Sequence, residues 1–170
     1  MATFLELAAE RYSVRSFSPK PIEPEMLRRV LEAARIAPTA CNNQPQRIKV
    51  ITGDADLAKA DECTPCRFNA PVVLLVCYDK TACWTHPDNS SLYSGEIDAS
   101  IAATHLMMAA QDAGLGSCWV MRFEREKAAE MFALPKNVVP VAMLPIGYRA
   151  DDAAPSGFHG RRLAMEDILL

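Results

Sequence analysis

Arginine and hydroxyl side chains alternate near the start of the chain, at Arg11, Ser13 and Arg15. In an extended backbone, alternate residues project to the same side, so these three side chains would converge on one small anion. Arginine suits such a site because its planar guanidinium meets phosphate oxygens in pairs. Arg161 and Arg162 add positive charge near the other end of the chain. We predict a phosphate site, with scattered surface charge as the alternative interpretation.

A second polar group lies in the loop over residues 37–45. The amides of Asn42 and Gln44 both donate and accept hydrogen bonds, and Pro38 and Pro45 stiffen the backbone around them. Such a loop suits a flat heterocycle with alternating donors and acceptors. An ordinary asparagine-rich turn is the alternative.

Six cysteines are present, and Cys63 and Cys66 form a C-x-x-C pair. The pair could be a redox couple or half of a zinc site. A second pair at suitable spacing is missing, and so is the strand-then-helix setting of a thioredoxin-like motif, so a structural role is favoured. Cys77 and Cys118 lie in apolar runs and are predicted to be core residues.

Several common catalytic motifs are absent from the sequence. It contains no G-x-x-x-x-G-K-[ST], G-x-G-x-x-G, G-x-S-x-G or H-E-x-x-H, and His86, His105 and His159 are far apart. The sequence therefore predicts no P-loop, Rossmann, hydrolase or metalloenzyme site, and no bound metal.

The composition bounds the class of protein. The chain has 170 residues, of which 50% are hydrophobic and 23% charged, and its net charge is −3. Residues 1–49 hold eight Lys/Arg against five Asp/Glu, a balance of +3, which leaves −6 for the remainder. A local basic cluster on an acidic body suits a small anionic ligand and argues against nucleic acid. We expect a single domain over residues 1–170, no membrane span or export signal, and a cytoplasmic location.

The hydrophobic pattern predicts an α+β domain with a mixed central sheet flanked by helices. Thr3 and Glu6 form a capping box that starts a helix over residues 4–10. Further helices are predicted from residue 24 to before Pro38, near 55–62, over 96–113 and over 124–132, and strands over 48–51, 70–78, 117–121 and 138–148. Residues 80–95 are predicted to be a polar loop.

The helix predicted over residues 96–113 is apolar or small almost all round. We expect it to be buried on every side. Because a domain of this size rarely hides such a helix alone, an oligomer interface is one natural solution.

These features, taken in order, resemble the nitroreductase family of FMN-dependent oxidoreductases. Each motif is weak alone, but together they cover nearly the whole chain at fitting intervals. The motifs are Arg11-x-Ser-x-Arg15, Ala37-Pro-Thr-Ala-x-Asn-x-Gln-Pro45, Ala70-Pro-Val-Val, Ala113-Gly-Leu-Gly-Ser-Cys-Trp119, Leu144-Pro-Ile-Gly-Tyr148 and Arg161-Arg162.

The resemblance implies a homodimer with two FMN sites at the subunit interface, where the long central helix also lies. Residues 11–15 would hold the phosphate and ribityl chain together with Arg161 or Arg162, residues 38–44 would lie along the flavin of the other subunit, and the backbone of residues 119–122 would pass its reactive edge. The implied FMN-binding residues are Arg11, Tyr12, Ser13, Arg15, Pro38, Thr39, Ala40, Asn42, Gln44, Trp119, Val120, Met121, Arg122, Arg161 and Arg162.

The sequence departs from the family pattern near this site. Met121 and Arg122 stand where relatives often carry small residues, and Gln46-Arg47 replaces an aromatic residue that often follows Gln-Pro. The resemblance also places the Cys63–Cys66 segment beside the flavin pocket.

The implied activity is hydride transfer from NAD(P)H through FMN to a nitroaromatic, a quinone or a similar conjugated electrophile. No general acid or base is assigned, because the flavin carries the chemistry. The alternatives are a flavin-binding or regulatory protein without turnover, and a relative that dehalogenates substrates or breaks down flavin. The last group needs a lid over the cofactor, for which residues 80–95 are the only candidate.

Overall fold

The computed structural model describes residues 3–170. Its five α-helices are α1 (Phe4–Glu10), α2 (Pro24–Arg35), α3 (Asp54–Cys63), α4 (Gly95–Asp112) and α5 (Arg125–Met131). Its strands are β1 (Gln46–Ile51), β2 (Val72–Asp79), β3 (Thr85–His86), β4 (Asn89–Tyr93), β5 (Gly116–Ser117) and β6 (Val138–Gly147). Short 3₁₀ turns lie at Ala40–Asn42 and Met165–Asp167. None of the helices within residues 3–170 is both long and apolar enough to cross a membrane.

The main sheet has four strands in the order β1-β2-β6-β5. Its three strand pairings are all antiparallel. Within residues 3–170, the expected mixed sheet is therefore parallel at just one isolated bridge, between Ser13 and Ser117. The segment that forms this bridge is a single extended stretch and not a full strand, so it adds no parallel ladder.

Strand β2 separates two hydrophobic cores. Successive side chains of a strand point to opposite faces of the sheet. Leu74 and Val76 accordingly pack with α2 and α4 on one face, and Val73 and Leu75 pack with α3 and α5 on the other. All four are 0–1% exposed. This explains why the run is continuously apolar, as predicted for a strand covered on both sides.

Within the single chain, helix α4 is buried on one side only, so its burial on every side stays a prediction that requires a partner subunit. Ala99, Ala102, Ala103 and Leu106 are fully buried, whereas Ile97 is 63% exposed. A single sheet with α1 and α2 covers only part of the helix surface. The uncovered part, called the open face of α4 below, consists of Ile97, Ser100, Ile101, Thr104, His105 and Met108.

The predicted polar loop over residues 80–95 contains a β-hairpin, formed by β3 and β4. Its side chains are mostly exposed, so no alternating burial pattern marked it in the sequence. Trp84 and Ser94 close the hairpin, because the Ser94 N–H donates to the Trp84 carbonyl over 2.9 Å. The Tyr93 ring contacts the ring of Tyr78, with 6.2 Å between centroids.

The strand predicted over residues 117–121 is shorter than expected. In this part of the chain, continuous pairing with β6 is confined to Gly116 and Ser117. Val120 forms an isolated bridge with Met143. Gly116 is tightly enclosed, since a Cβ atom there would lie 2.6 Å from Cγ2 of Val14. This close approach brings residues 11–17 against the edge of the sheet.

We predict that Gly116→Ala lowers the free energy of unfolding by about 1–3 kcal/mol, because the added methyl group overpacks Val14. Gly157→Ala is the matched control, since its Cβ would meet no atom within 4 Å. The measurement is urea denaturation at one fixed protein concentration. Equal midpoints for the two variants would contradict the close packing at Gly116.

Candidate functional site

The segment over residues 11–17 runs extended along the edge of the sheet next to β5. Ser13 bridges to Ser117, and the Val14 N–H donates to the Ser117 carbonyl over 2.9 Å. Arg11, the C-cap residue of α1, is already extended, with φ −62° and ψ 128°. The Val14 side chain is 0% exposed, so the segment turns alternate residues outward, as expected from the sequence.

A basic cavity of about 310 Å³ opens beside this segment. We call it the arginine cavity. Its lining combines the predicted residues near the start of the chain with residues close to the C-terminus. The lining residues are Arg11, Tyr12, Ser13, Arg15, Ser156, Phe158, His159 and Arg162. Three guanidinium groups and two hydroxyls from serine thus face one space with no carboxylate in its lining, which suits a phosphate dianion.

The two adjacent arginines near the C-terminus have different surroundings. Arg162 lines the arginine cavity, and its Nη1 donates to the carbonyls of His159 and Arg161. Arg161 instead lies over the Phe158 ring, 4.7 Å from its centroid. Of the pair left open by the sequence, Arg162 is therefore the one that the fold brings to Arg11 and Arg15.

Tyr12 holds the C-terminal segment against this cavity. Its hydroxyl donates to the Ala153 carbonyl over 3.2 Å, and its ring meets the His159 ring edge-on, with 6.0 Å between centroids. Nearby, the Ser16 hydroxyl donates to Asp152 over 2.8 Å. The arginine cavity thus depends on contacts between residues more than 130 positions apart in the sequence.

The other predicted half of the site, residues 38–44, lies at the opposite end of α4. The Ala40 N–H donates to Asp98 near the N-terminus of this helix, whereas Ser13 pairs with Ser117 just beyond its C-terminus. An α-helix of 18 residues is about 27 Å long. A single chain therefore does not bring Pro38, Thr39, Ala40, Asn42 and Gln44 to the arginine cavity.

The segment 38–44 is held in an unusual backbone conformation. Cys41, Asn42 and Gln44 have φ values of 51°, 54° and 52°, in the left-handed region that side chains disfavour. The Thr39 hydroxyl accepts the Gln44 N–H over 3.0 Å and closes the loop. The side chains of Asn42 and Gln44 are left exposed, available to a ligand or partner.

Residues 119–122 follow Ser117, which forms a bridge with Ser13, and they differ in how far their side chains are exposed. Val120 is buried in one core, so only its backbone can meet a ligand, whereas the Trp119 side chain packs against the other core and is half-buried. Met121 is 59% exposed, and Arg122 is exposed as well. The buried Thr64 fixes this segment, because its hydroxyl donates to the Arg122 carbonyl over 2.6 Å.

Of the C-x-x-C cysteines, Cys63 is buried in the core next to Thr64, and Cys66 is half-buried against the same core. Burial raises the pKa of the Cys63 thiol, which lies 3.6 Å from the sulfur of Met131. Burial also raises the pKa of Cys118, partly opposed by the Arg15 guanidinium. A raised pKa keeps a thiol protonated and unreactive at neutral pH, so the structure favours the structural role over a thiolate pair at Cys63.

Sequence reasoning missed four residues that shape the site. Ser156, Phe158 and His159 carry no motif and reach the arginine cavity only through the fold. Asp98 did leave a signal, since it is a lone carboxylate on the alanine-rich buried side of α4, between Ser94 and Ala102. Gln46 is a separate case, because it was already named from the sequence as a departure from the family pattern; its side-chain amide donates to the Ala34 carbonyl near the end of α2 over 3.1 Å.

Comparison with known proteins defines the class. A sequence model of the nitroreductase family matches residues 8–68 and 64–148. The chain belongs to the nitroreductase family, as its motifs indicated, and the predicted α+β fold class is confirmed. The matched ranges include Arg11–Arg15 and residues 38–44 and end before Arg162.

Individual relatives agree with this assignment. A crystal structure of a nitroreductase family protein from Clostridium difficile superimposes with a TM-score of 0.92 at 36% identity, covering 99% of this chain and 98% of that one. An FMN reductase [NAD(P)H] of Bacillus subtilis is 29% identical over 91% of this chain and 69% of its own length. An NADH dehydrogenase of Thermus thermophilus is 27% identical over 96% and 93%, respectively.

Proposed function

We propose that the protein is a homodimeric oxidoreductase that passes a hydride from NAD(P)H, through bound FMN, to a nitroaromatic, a quinone or a similar conjugated electrophile. The observation that carries the proposal is the arginine cavity, where Arg11, Arg15 and Arg162 converge without a neighbouring carboxylate in the lining. The proposal includes the cytoplasmic location that was expected from the sequence.

The general enzyme class and the cofactor rest on the family and its relatives. The chain is an NAD(P)H-dependent flavin oxidoreductase, and FMN is its cofactor, as the sequence predicted. Hydride transfer between NAD(P)H and the acceptor is the chemistry that bound FMN supplies. The acceptor class is the finer part of the proposal.

The residues of the arginine cavity fit the phosphate of FMN. The 5′-phosphate carries close to two negative charges at neutral pH, and three guanidinium groups with the Ser13 hydroxyl can neutralise and bond its oxygens. Arg11 and Arg15 would hold the phosphate from the extended segment, and Arg162 from the C-terminal segment. When the phosphate binds, Arg162 can exchange its bonds with backbone carbonyls for stronger bonds with an anion.

The segment over residues 119–122 would contact the flavin ring. The backbone of residues 119–122 is pinned by Thr64 and by the bridge from Val120 to Met143. A fixed backbone can orient a planar ring without reorganisation during the reaction. Met121 and Arg122, the exposed members of this segment, would determine the shape and charge of the acceptor pocket.

The two halves of the proposed site, the arginine cavity and residues 38–44, would meet in the proposed homodimer. The open face of α4 is apolar at Ile97, Ile101 and Met108, and an apolar cavity of about 650 Å³ continues from Met108 towards Phe4. In a twofold dimer that packs two copies of α4 antiparallel, the N-terminal end of one helix lies beside the C-terminal end of its partner. Residues 38–44 of one subunit would then reach the arginine cavity of the other.

We predict that FMN-loaded protein oxidises NADH or NADPH when menadione or nitrofurazone is the acceptor, and that removal of FMN abolishes this turnover. The measurement is the loss of NAD(P)H absorbance, with free FMN at the same concentration as the control. Flavin binding without NAD(P)H oxidation would instead assign a binding or regulatory role, and protein that stays colourless after FMN addition would refute the proposal.

We predict that Arg15→Gln raises the Kd for FMN about ten- to a hundredfold, since a hydrogen bond between charged groups contributes about 1.5–3 kcal/mol. The Kd for riboflavin, which lacks the phosphate, should stay within about twofold. Arg28→Gln removes the same charge from an exposed ion pair with Glu25 and is the matched control. Quenching of flavin fluorescence measures all of these affinities. Equal losses for FMN and riboflavin would place Arg15 away from the phosphate.

We predict that Ile97→Glu converts the dimer to a monomer, because the charge would be buried between two copies of α4. Ile36→Glu is the matched control, since Ile36 and Ile97 are both 63% exposed in the single chain. Sedimentation velocity gives the oligomeric state, and FMN affinity should fall together with dimer content. A dimeric Ile97→Glu variant would exclude the open face of α4 as the interface.

A further inference from the structure

Asp98 carries a buried carboxylate near the N-terminus of α4, with 1% of the residue exposed. Its Oδ1 accepts the Ala40 N–H over 2.9 Å, and its Oδ2 accepts the Ser94 hydroxyl over 2.6 Å. Among the residues that the structure describes, no lysine, arginine or histidine forms an ion pair with it. Burying a carboxylate is costly, so these two donors and the positive end of the helix must stabilise it.

Ser94 extends this connection to the hairpin. Its hydroxyl oxygen accepts the Trp84 N–H over 3.1 Å while its proton goes to Asp98. The Ser94 N–H also donates to the Trp84 carbonyl over 2.9 Å. One chain of hydrogen bonds therefore links the base of the hairpin, the start of α4 and the backbone of Ala40.

This series of hydrogen bonds ends at residues 38–44, a segment whose backbone conformation needs support from the surrounding structure. The left-handed conformations of Cys41, Asn42 and Gln44 are unfavourable and persist only where the surrounding structure imposes them. Thr39 closes the loop from within through the Gln44 N–H. Asp98 ties its middle to the rest of the protein at Ala40.

We infer that Asp98, supported by Ser94, is a positioning residue for the flavin: it holds residues 38–44 in the conformation that presents Asn42 and Gln44 to the isoalloxazine ring. The inference rests on the proposed function, since it assigns the ring end of FMN to this loop. It identifies the carboxylate as part of the cofactor site although its side chain is buried and contacts no ligand.

A capping role for α4 is the competing explanation. A carboxylate in the first turns of a helix stabilises the helix whether or not it positions a loop. The two roles differ in their effect on ligands. Loss of a helix cap lowers the stability of the fold. Loss of the anchor for residues 38–44 also weakens binding of the flavin ring, and it does so equally for FMN and for riboflavin, which lacks the phosphate.

The test compares FMN and riboflavin affinities for Asp98→Ala, Asp98→Asn and Ser94→Ala, with thermal unfolding measured for each variant. Asp98→Ala should raise both Kd values by the same factor, about tenfold or more, because it removes a hydrogen bond to a charged group. Ser94→Ala should act in the same direction. Asp98→Asn should stay within about threefold, because its amide oxygen can accept from Ala40 and its NH₂ can donate to Ser94.

Val76→Ala is the control for a loss of stability alone, because Val76 is fully buried in β2 and belongs to the sheet core. It should lower the melting temperature and leave both Kd values unchanged. Unchanged affinities in Asp98→Ala, or the same affinity loss in Val76→Ala at equal destabilisation, would overturn the positioning role. If Asp98→Ala does not fold, Ser94→Ala decides by the same criteria.

The wild-type protein separates this inference from the proposed function. Wild-type protein that binds FMN and oxidises NAD(P)H, combined with Asp98 variants of unchanged affinity, would refute the positioning role alone. Wild-type protein that binds no FMN would refute the proposed function and the positioning role with it.

Discussion

The packing of α4 against the sheet is the constraint on which the rest of the structure depends. Ala99, Ala102, Ala103 and Ala110 are fully buried, and their small side chains let the helix lie close to β2 and β6. Once the helix is fixed, both of its ends are fixed. Its N-terminal end reaches the Ala40 backbone through Asp98, and the chain beyond its C-terminal end pairs Ser117 with Ser13. The position of each half of the proposed site follows from this one contact.

The same arrangement separates two kinds of recognition. The arginine cavity offers charge to a phosphate and is built from side chains on exposed segments. The segments over residues 38–44 and 119–122 offer backbone groups and amides, and buried hydroxyl or carboxylate groups hold each of them. Side chains that contact a ligand and side chains that fix the backbone are therefore different residues. A motif reading of the sequence captures the first group and misses the second.

A feature could be predicted from the sequence where its signal depends on residues that are close together in the chain. The capping box at Thr3 and the apolar run of β2 depend on neighbouring residues, and both elements appear where they were predicted. The extended spacing of Arg11, Ser13 and Arg15 is also local, and the structure places all three in the lining of one cavity. The hairpin over β3 and β4 was missed because its residues are polar and exposed, so burial leaves no pattern. The choice between Arg161 and Arg162 depends on contacts with residues 11–15, and sequence spacing carries no information about it.

The open face of α4 has a thermodynamic consequence for the chain as a whole. An isolated subunit leaves Ile97, Ile101 and Met108 in contact with water, so part of the apolar burial expected of this helix is missing from the monomer. In the proposed homodimer that burial is gained only when two chains meet. Folding and association then share one equilibrium, and mass action makes the apparent stability rise with protein concentration. Cofactor sites formed from both chains would also depend on protein concentration. Dilution would then release the flavin as it dissociates the subunits.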